Sequence, residues 1–225
     1  MRLLSLSFAF ISVFFFSLNS ESVENNPEPL SVDELSNNKN TVGTFPVGWQ
    51  TFPFQGGKAK QVYKIEEENR KKFIHAFDNK DLSVRIMNDF IWPLSKNPHF
   101  SWKWRALELP KAAHEDTRET NDSACGVYVA FGKMSGVALK YVWSSSLPVG
   151  HVWEKDPGKF YIIVKASGSS KLKQWQNVKV NIVEDYKKYF KKDPSKDPSG
   201  IGILTDGNAT HSAASCDYTD FMISD

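Results

Sequence analysis

Hydrophobic residues recur at every second position through most of this chain, and this pattern limits the fold more than any other feature. Apolar residues alternate with Lys, Arg or Tyr in runs at 100–107, 124–131 and 140–144, and again at 159–166. Proline, glycine and polar clusters separate the runs, as turns separate strands. Many short strands of this kind predict an all-β protein, an antiparallel β-sandwich with a jelly-roll layout; a closed barrel is the alternative.

Further segments complete the predicted architecture. Strands are expected at 61–65 and 72–77, paired as a hairpin, although the polar run between them also has helix-forming residues. Late strands are expected at 200–205 and 218–223. One short helix is predicted near residues 184–190, before two prolines.

The first residues have the layout of a secretory signal peptide. Met1 and Arg2 give a positive start, residues 3–18 are almost wholly apolar, and polarity then returns abruptly. The apolar run is short for a membrane span, which needs about 20 residues, so we expect a cleaved signal over the alternative, a retained anchor. The predicted divisions are a signal peptide at 1–20, a disordered leader at 21–40 and one β-sandwich domain at 41–225.

Charge and cysteine content narrow the class of protein further. A net charge of +2 over 225 residues argues against a nucleic-acid binder, which normally carries concentrated basic charge. No later segment is apolar enough to cross a bilayer, so we expect a secreted protein, periplasmic or extracellular, without a transmembrane helix after signal removal. In that setting Cys125 and Cys216 are expected to form one disulfide, which stabilises by roughly 4 kcal/mol in the chain-entropy model. Two buried free thiols are the alternative.

The strand around Trp102 supplies the first candidates for ligand binding. Because side chains alternate across a sheet, Trp102 and Trp104 are expected in the core, and Lys103 and Arg105 on the other face. On the next strand, Tyr128 is expected to point away from the core. If the two strands are neighbours, Arg105 and Tyr128 meet on one concave surface that suits a sugar. The structural alternative is that Arg105 pairs with a surface carboxylate and Tyr128 packs across strands.

Two other groups of residues complete the candidate sites. Trp92 lies in a predicted loop, where side chains are freer to contact a ligand. Four aspartates at strand ends or in late loops could gather around a structural calcium ion, although a solvated turn is the alternative for each of them. These metal candidates are Asp122, Asp206, Asp217 and Asp220. No other cofactor is expected.

An enzymatic function has weaker support in the sequence. A glycosidase needs two facing carboxylates, and Glu108, Asp122, Glu154 and Asp206 are available, but the sequence does not pair them. The five histidines form no metal-binding pair, and the sequence has no nucleophile elbow or phosphate-binding glycine loop. No catalytic residue is therefore assigned.

An ordered set of short motifs resembles the bacterial family DUF3047, a domain of unknown function. The set comprises Gly48-Trp49, Ser101–Arg105, Ala124–Phe131, Leu139–Trp143, Leu147–Gly150 and Ile201–Asp206. The resemblance continues to the last strand and covers nearly everything after the leader. It implies an exported single domain with a sandwich of the galactose-binding-like and carbohydrate-binding-module kind, and it implies no settled activity.

These features together favour an exported, non-enzymatic binding module that recognises a glycan or another small polar ligand. Arg105, Tyr128 and Lys103 are its expected anchors. Two alternatives come from other classes of protein. One is a hydrolase of envelope polysaccharide that uses a carboxylate pair, and the other is a structural or assembly protein whose concave face meets another protein.

Overall fold

The structure is a computed structural model that describes residues 30–31, 39–132 and 136–225. The predicted signal peptide and most of the predicted leader lie outside the described residues. Residues 30–31 of that leader pair antiparallel with the last strand of the chain. In the described ranges, no helix is both long and apolar enough to span a membrane.

Of the residues that the structure describes, 46% are in strands and 9% in helices, which confirms the predicted all-β class. In chain order the elements are β1 (Leu30–Ser31), α1 (Gly56–Val62), β2 (Tyr63–Glu68), β3 (Lys71–Asp78), β4 (Ile86–Asn88), β5 (His99–Glu108), β6 (Ser123–Phe131), β7 (Val137–Ser144), β8 (Val152–Asp156), β9 (Phe160–Ser167), β10 (Gln176–Asn181), α2 (Ile182–Phe190), β11 (Pro198–Asp206) and β12 (Ala214–Ser224).

Two sheets of six strands form a jelly-roll-like sandwich. Sheet A has the order β10-β5-β12-β3-β2, and β1 pairs with β12 beside that path. Sheet B has the order β4-β11-β6-β7-β9-β8. Strand pairing is antiparallel except between β7 and β9, which run parallel. Strands β5 and β6 follow each other along the chain but lie in different sheets.

Aromatic rings from both sheets fill the space between them. Alternate residues of β5 point inward, as the sequence predicts, and its two tryptophans, Trp102 and Trp104, are buried. Sheet B contributes Tyr141 and Trp143 to the same layer. The ring centroids of Trp102 and Tyr141 are 5.4 Å apart, and those of Trp104 and Trp143 are 6.2 Å apart. Such close ring pairs stabilise beyond the area that they bury.

Strand β12 is fastened to sheet B by a covalent bond and by a buried hydroxyl. Cys216 of β12 forms a disulfide with Cys125 of β6, as predicted, with a Cα–Cα distance of 5.5 Å. Two residues further, the Tyr218 hydroxyl accepts a hydrogen bond from the Gly126 amide at 3.1 Å. It also lies 2.8 Å from the Thr205 hydroxyl. The two sheets are therefore fixed relative to each other at the centre of the core.

Local structure departs from the prediction at the start of the domain. The segment Gly56–Val62 is a helix, which the sequence did not indicate, and the strand expected from residue 61 begins at Tyr63. The β2–β3 hairpin itself is confirmed. The second helix is confirmed as well, and the Asn181 side chain caps it by accepting from the amides of Val183 and Glu184.

Loss of the disulfide is expected to destabilise the protein strongly. Its half-cystines lie 91 residues apart, so the bond restricts the unfolded chain by about 4–5 kcal/mol in the loop-entropy model. The double variant Cys125→Ala/Cys216→Ala should lose that amount in urea unfolding. Reduced wild-type protein is the control and should behave alike, whereas a loss below about 1 kcal/mol in both would contradict the expectation.

Candidate functional site

The structure does not bring Arg105 and Tyr128 together. Arg105 lies on β5 and points out from sheet A, and Tyr128 lies on β6 and points out from sheet B. The expectation of one concave surface shared by these residues is wrong, because β5 and β6 pair with other strands. Burial alternates along β5, but β6 is buried at nearly every position, and Tyr128 is only 6% exposed, since Phe160, Lys140 and Arg85 pack against its ring. The two candidates therefore lie on different sheets, and the alternative for Tyr128, packing across strands, is what the structure contains.

Arg105 is already paired within sheet A. The strand register places Asp217 between Arg105 and His75. Arg105 Nε donates to Asp217 Oδ2 at 2.8 Å, and its Nη1 lies 2.9 Å from Glu68 Oε2. Burial opposes the charge of Arg105, but the hydrogen bonds with Asp217 and Glu68 outweigh it and raise the pKa of the guanidinium. The alternative proposed for Arg105, a carboxylate partner, is therefore what the structure contains.

A hollow of about 400 Å³ adjoins Arg105 on sheet A. Lys103 lines it and forms an exposed ion pair with Asp220 at 2.8 Å. Trp175 forms another wall, and the Arg105 guanidinium lies 4.6 Å from the centroid of its indole ring. The two candidates on this face, Lys103 and Arg105, both have carboxylate partners, so neither offers free charge to a ligand.

Trp92 is a core residue. Only 1% of its surface is exposed, and its ring lies 5.9 Å from Phe90 and 6.0 Å from Phe100. Although the segment around it is a loop, as predicted, the side chain turns inward because the aromatic layer continues past the end of β5. The expectation that Trp92 contacts a ligand at the surface is wrong for this reason.

The four aspartates do not gather at one place. Asp217 and Asp220 lie on sheet A, and Asp206 lies at the end of β11 in sheet B. Asp122 accepts hydrogen bonds from the Ala209 and Thr210 amides and from the Thr210 hydroxyl, which fixes the loop after β11. Among the described residues, no three His, Cys, Asp or Glu side chains are grouped to hold a metal ion. The calcium ion stays a prediction.

A groove of about 380 Å³ lies on the outer face of sheet B, and we call it the sheet B groove. Its floor crosses three strands through Gly200, Ala130 and Ala138, which are aligned in register. Ala130 and Ala138 are partly exposed, whereas Gly200 is buried, and a Cβ there would lie 2.7 Å from the Asn88 carbonyl oxygen. Its walls include Gln50, Phe52, Arg85, Asp89 and Tyr128.

Arg85 forms a rigid wall of the sheet B groove. Its guanidinium carbon lies 5.2 Å from the centroid of the Phe52 ring and 5.0 Å from that of Tyr128. Val84 and Ile86 are fully buried, so the residue between them must point outward. The sequence reasoning did not select Arg85, although the same alternation that placed Arg105 on an outer face applies to it.

A buried polar layer lies beside Tyr128. Lys140 is opposite Tyr128 in the β6–β7 register and is 1% exposed. Burial disfavours its charge, but Tyr128, Asp206 and Glu115 raise the pKa of Lys140 and keep the amine protonated. Gly126 gives its chain room, since a Cβ there would lie 2.8 Å from Lys140 Cε. The ammonium is therefore balanced inside the protein.

Two carboxyl groups that balance Lys140 have raised pKa values. Burial raises the pKa of Asp206 to about 6, with Lys140 opposing the shift. Burial also raises the pKa of Glu115, whose carboxylate accepts a 2.5 Å hydrogen bond from the Ser144 hydroxyl of β7. Glu115 lies in the segment between β5 and β6, and this contact holds that segment against sheet B.

The chain belongs to a family described as "Protein of unknown function (DUF3047)", whose model matches residues 47–222. This confirms the resemblance carried by the sequence motifs. No curated protein matches the chain.

Several solved structures resemble the fold. A carbohydrate-binding module specific for non-crystalline cellulose, CBM28, matches with a TM-score of 0.40 and 12% identity over 79% of this chain and 88% of its own. TmCBM61 in complex with β-1,4-galactotriose matches with a TM-score of 0.38 and 9% identity, over 80% of this chain and 90% of its own. Endoglucanase 3 of Trichoderma harzianum, from family GH12, matches with a TM-score of 0.41 and 10% identity, over 72% of this chain and 82% of its own. At these scores the likenesses assign neither ligand nor activity.

The pKa of Asp206 predicts a pH dependence of stability. Because its folded-state pKa is raised from 3.8 to about 6, the folded state retains the proton more strongly, and this contribution to stability is lost as pH rises from about 4 to 6. The unfolding free energy of wild type minus that of Asp206→Asn should fall by roughly 2–3 kcal/mol between pH 4 and 7. Urea unfolding of both proteins at several pH values measures this difference in free energy. A difference that stays constant or rises with pH would contradict the raised pKa of Asp206.

The two ion pairs of sheet A should differ greatly in their contribution to stability. Asp217→Asn leaves the half-buried Arg105 without its main partner, which should cost about 2–4 kcal/mol in the free energy of unfolding. The matched variant Asp220→Asn breaks the exposed pair with Lys103 and should cost less than about 1 kcal/mol. Thermal and urea unfolding test this, and equal losses in the two variants would show that burial does not set the difference.

Proposed function

We propose that this protein is an exported, non-catalytic glycan-binding module whose ligand lies in the sheet B groove, with Phe52 and Arg85 as its anchors and the buried Tyr128 ring as the support of Arg85. The observation that carries the proposal is the combination of a floor of small residues with a wall in which a guanidinium lies between two aromatic rings. Binding sites for small ligands typically have this composition, mostly apolar with a few fixed polar groups.

The dimensions and chemistry of the groove suit a sugar ring. A pyranose has a flat C–H face that can lie on the floor formed by Gly200, Ala130 and Ala138. The Phe52 ring, 44% exposed, is available for apolar contact at the rim. The Gln50 side chain donates to Asp89 at 2.7 Å and places amide and carboxylate groups within reach of hydroxyls.

Export is part of the proposal and is supported by the disulfide. A bond between Cys125 and Cys216 persists in an oxidising compartment and is rare in the cytosol. The N-terminal signal pattern of the sequence agrees with that compartment.

A binding role is favoured over hydrolysis by the acids of the groove. Glycosidases generally use two carboxyl groups on either side of the scissile bond. Among the described residues that line the groove, Asp89 is the one carboxylate. The four acids considered for catalysis do not line it: Glu108, Asp122, Glu154 and Asp206. The Asp122 carboxylate also accepts hydrogen bonds from the loop after β11.

The location of the ligand can be tested by filling the groove. Ala138→Tyr places a ring on the groove floor and should reduce glycan binding at least tenfold, because it occupies the volume that the sugar needs. Asn177→Tyr adds the same ring to the hollow on sheet A and is the matched control. A glycan array identifies the ligand, and calorimetry measures its affinity for both variants.

The outcomes separate the two faces of the sandwich. Weakened binding in Ala138→Tyr with unchanged binding in Asn177→Tyr supports the proposal. The reverse result would move the site to sheet A, and a protein that binds no glycan on the array would refute the function itself. Near-wild-type unfolding of both variants confirms that the added rings do not disturb the fold.

A further inference from the structure

Arg85 carries a positive charge into the lining of the sheet B groove. It forms no ion pair among the described residues, and its buried Nε has no hydrogen-bond partner there. An arginine side chain stays protonated in proteins, so the groove wall carries a positive charge that has no carboxylate in ion-pair contact among the described residues, while Asp89 lies elsewhere in the same groove lining. The Phe52 and Tyr128 rings offset part of the cost of burying this cation, and an anionic group on a ligand would supply the counter-charge that the described residues do not.

Two other cations that lie beside aromatic rings have carboxyl groups as partners or close neighbours. Arg105, which also lies beside two aromatic rings, has Asp217 and Glu68 as partners. Lys140, behind the Tyr128 ring at 5.4 Å, has Asp206 and Glu115 as nearby carboxyl groups. The contrast with Arg105 shows that this fold can supply a carboxylate to an outward-facing arginine, and at Arg85 it does not.

The geometry of Arg85 suits an anionic group. Phe52 and Tyr128 restrict the guanidinium plane, so little side-chain entropy remains to be lost when a ligand binds. A fixed guanidinium presents parallel N–H groups that match the two oxygens of a carboxylate or the oxygens of a sulfate. Asp89 also lines the groove, but its Oδ2 accepts the hydrogen bond from Gln50.

We infer that the sheet B groove recognises an acidic saccharide, in which a carboxylate or sulfate on the sugar ring binds Arg85 while the ring lies on the groove floor. This inference rests on the proposed function, and it specifies that the glycan bound in the groove is an acidic one. Uronic acids and sulfated sugars share the required anion, and the neutral forms of the same sugars lack it.

The test compares matched acidic and neutral oligosaccharides. Calorimetry with oligogalacturonate, with the same oligosaccharide after carboxyl reduction, and with a sulfated galactan fragment measures each dissociation constant. Wild-type protein should bind one of the acidic ligands at least tenfold more tightly than the reduced form, since a charge-assisted hydrogen bond is lost with the anion. The carboxylate and sulfate arms identify which anion is recognised.

Variants locate the recognition at Arg85. Arg85→Gln should weaken binding of the acidic ligand by about ten- to a hundredfold and leave binding of the neutral form unchanged. Arg85→Lys keeps the charge but loses the planar fork, so it should lie between wild type and Arg85→Gln. Lys103→Gln removes a cation from the opposite face and should have no effect.

The inference and the proposed function fail in different ways. If neutral glycans bind as tightly as acidic ones, or if Arg85→Gln and Arg85→Lys both bind the acidic ligand like wild type, the inference is wrong. The proposed function survives that result as long as Ala138→Tyr blocks binding. If Ala138→Tyr has no effect on an acidic ligand that does bind, the groove is not the site and both are wrong.

Discussion

The attachment of β12 to sheet B sets the geometry on which the other features depend. Cys216 and Tyr218 of this strand reach across the core to β6 and β11, the first through the disulfide and the second through buried hydrogen bonds. The aromatic layer around Trp102 and Trp104 fills the remaining space between the sheets. With the inner faces occupied in this way, ligands are excluded from the space between the sheets, and the two outer faces carry different sets of side chains.

The arginine on the outer face of sheet A has a carboxylate partner, and the arginine on the outer face of sheet B does not among the described residues. On sheet A, Asp217 is placed by strand register between His75 and Arg105, and the charges neutralise one another. On sheet B, acids balance the buried Lys140, while the Arg85 guanidinium lies beside two aromatic rings and forms no ion pair among the described residues. The first arrangement stabilises a sheet surface, and the second leaves charge and apolar surface accessible beside a groove. This difference is why the sheet B groove supports a binding function.

The sequence predicted the features that depend on a local residue pattern, such as the direction of side chains along a strand. The alternation in β5 and β6 correctly placed the tryptophans inward and Arg105 and Tyr128 outward, and the cysteine count with the expected compartment predicted the disulfide. It could not predict which strands are neighbours, because pairing between distant segments leaves no local signal. Strands β5 and β6 are consecutive in the chain, yet the loop between them crosses from one sheet to the other. The expected Arg105–Tyr128 site failed on that point alone.

The prediction for Trp92 was wrong and Arg85 was missed because contacts between distant segments decide their positions. Trp92 lies in a loop, but the aromatic layer extends beyond the strands and buries it. Arg85 was not selected because it precedes a strand of only three residues, Ile86–Asn88, and its partners Phe52 and Tyr128 are far from it in sequence. Tyr128, in contrast, was predicted as a ligand candidate and does line the groove.

The most direct measurement of the central claim is an NMR titration that follows the arginine Nε–Hε signals, with the Arg85 signal assigned by its absence in Arg85→Gln. On addition of an acidic oligosaccharide the account predicts that the Arg85 signal shifts and saturates with the binding isotherm, while the Arg105 signal, already hydrogen-bonded to Asp217, does not move. A saturating shift at Arg105 with none at Arg85 would contradict the account.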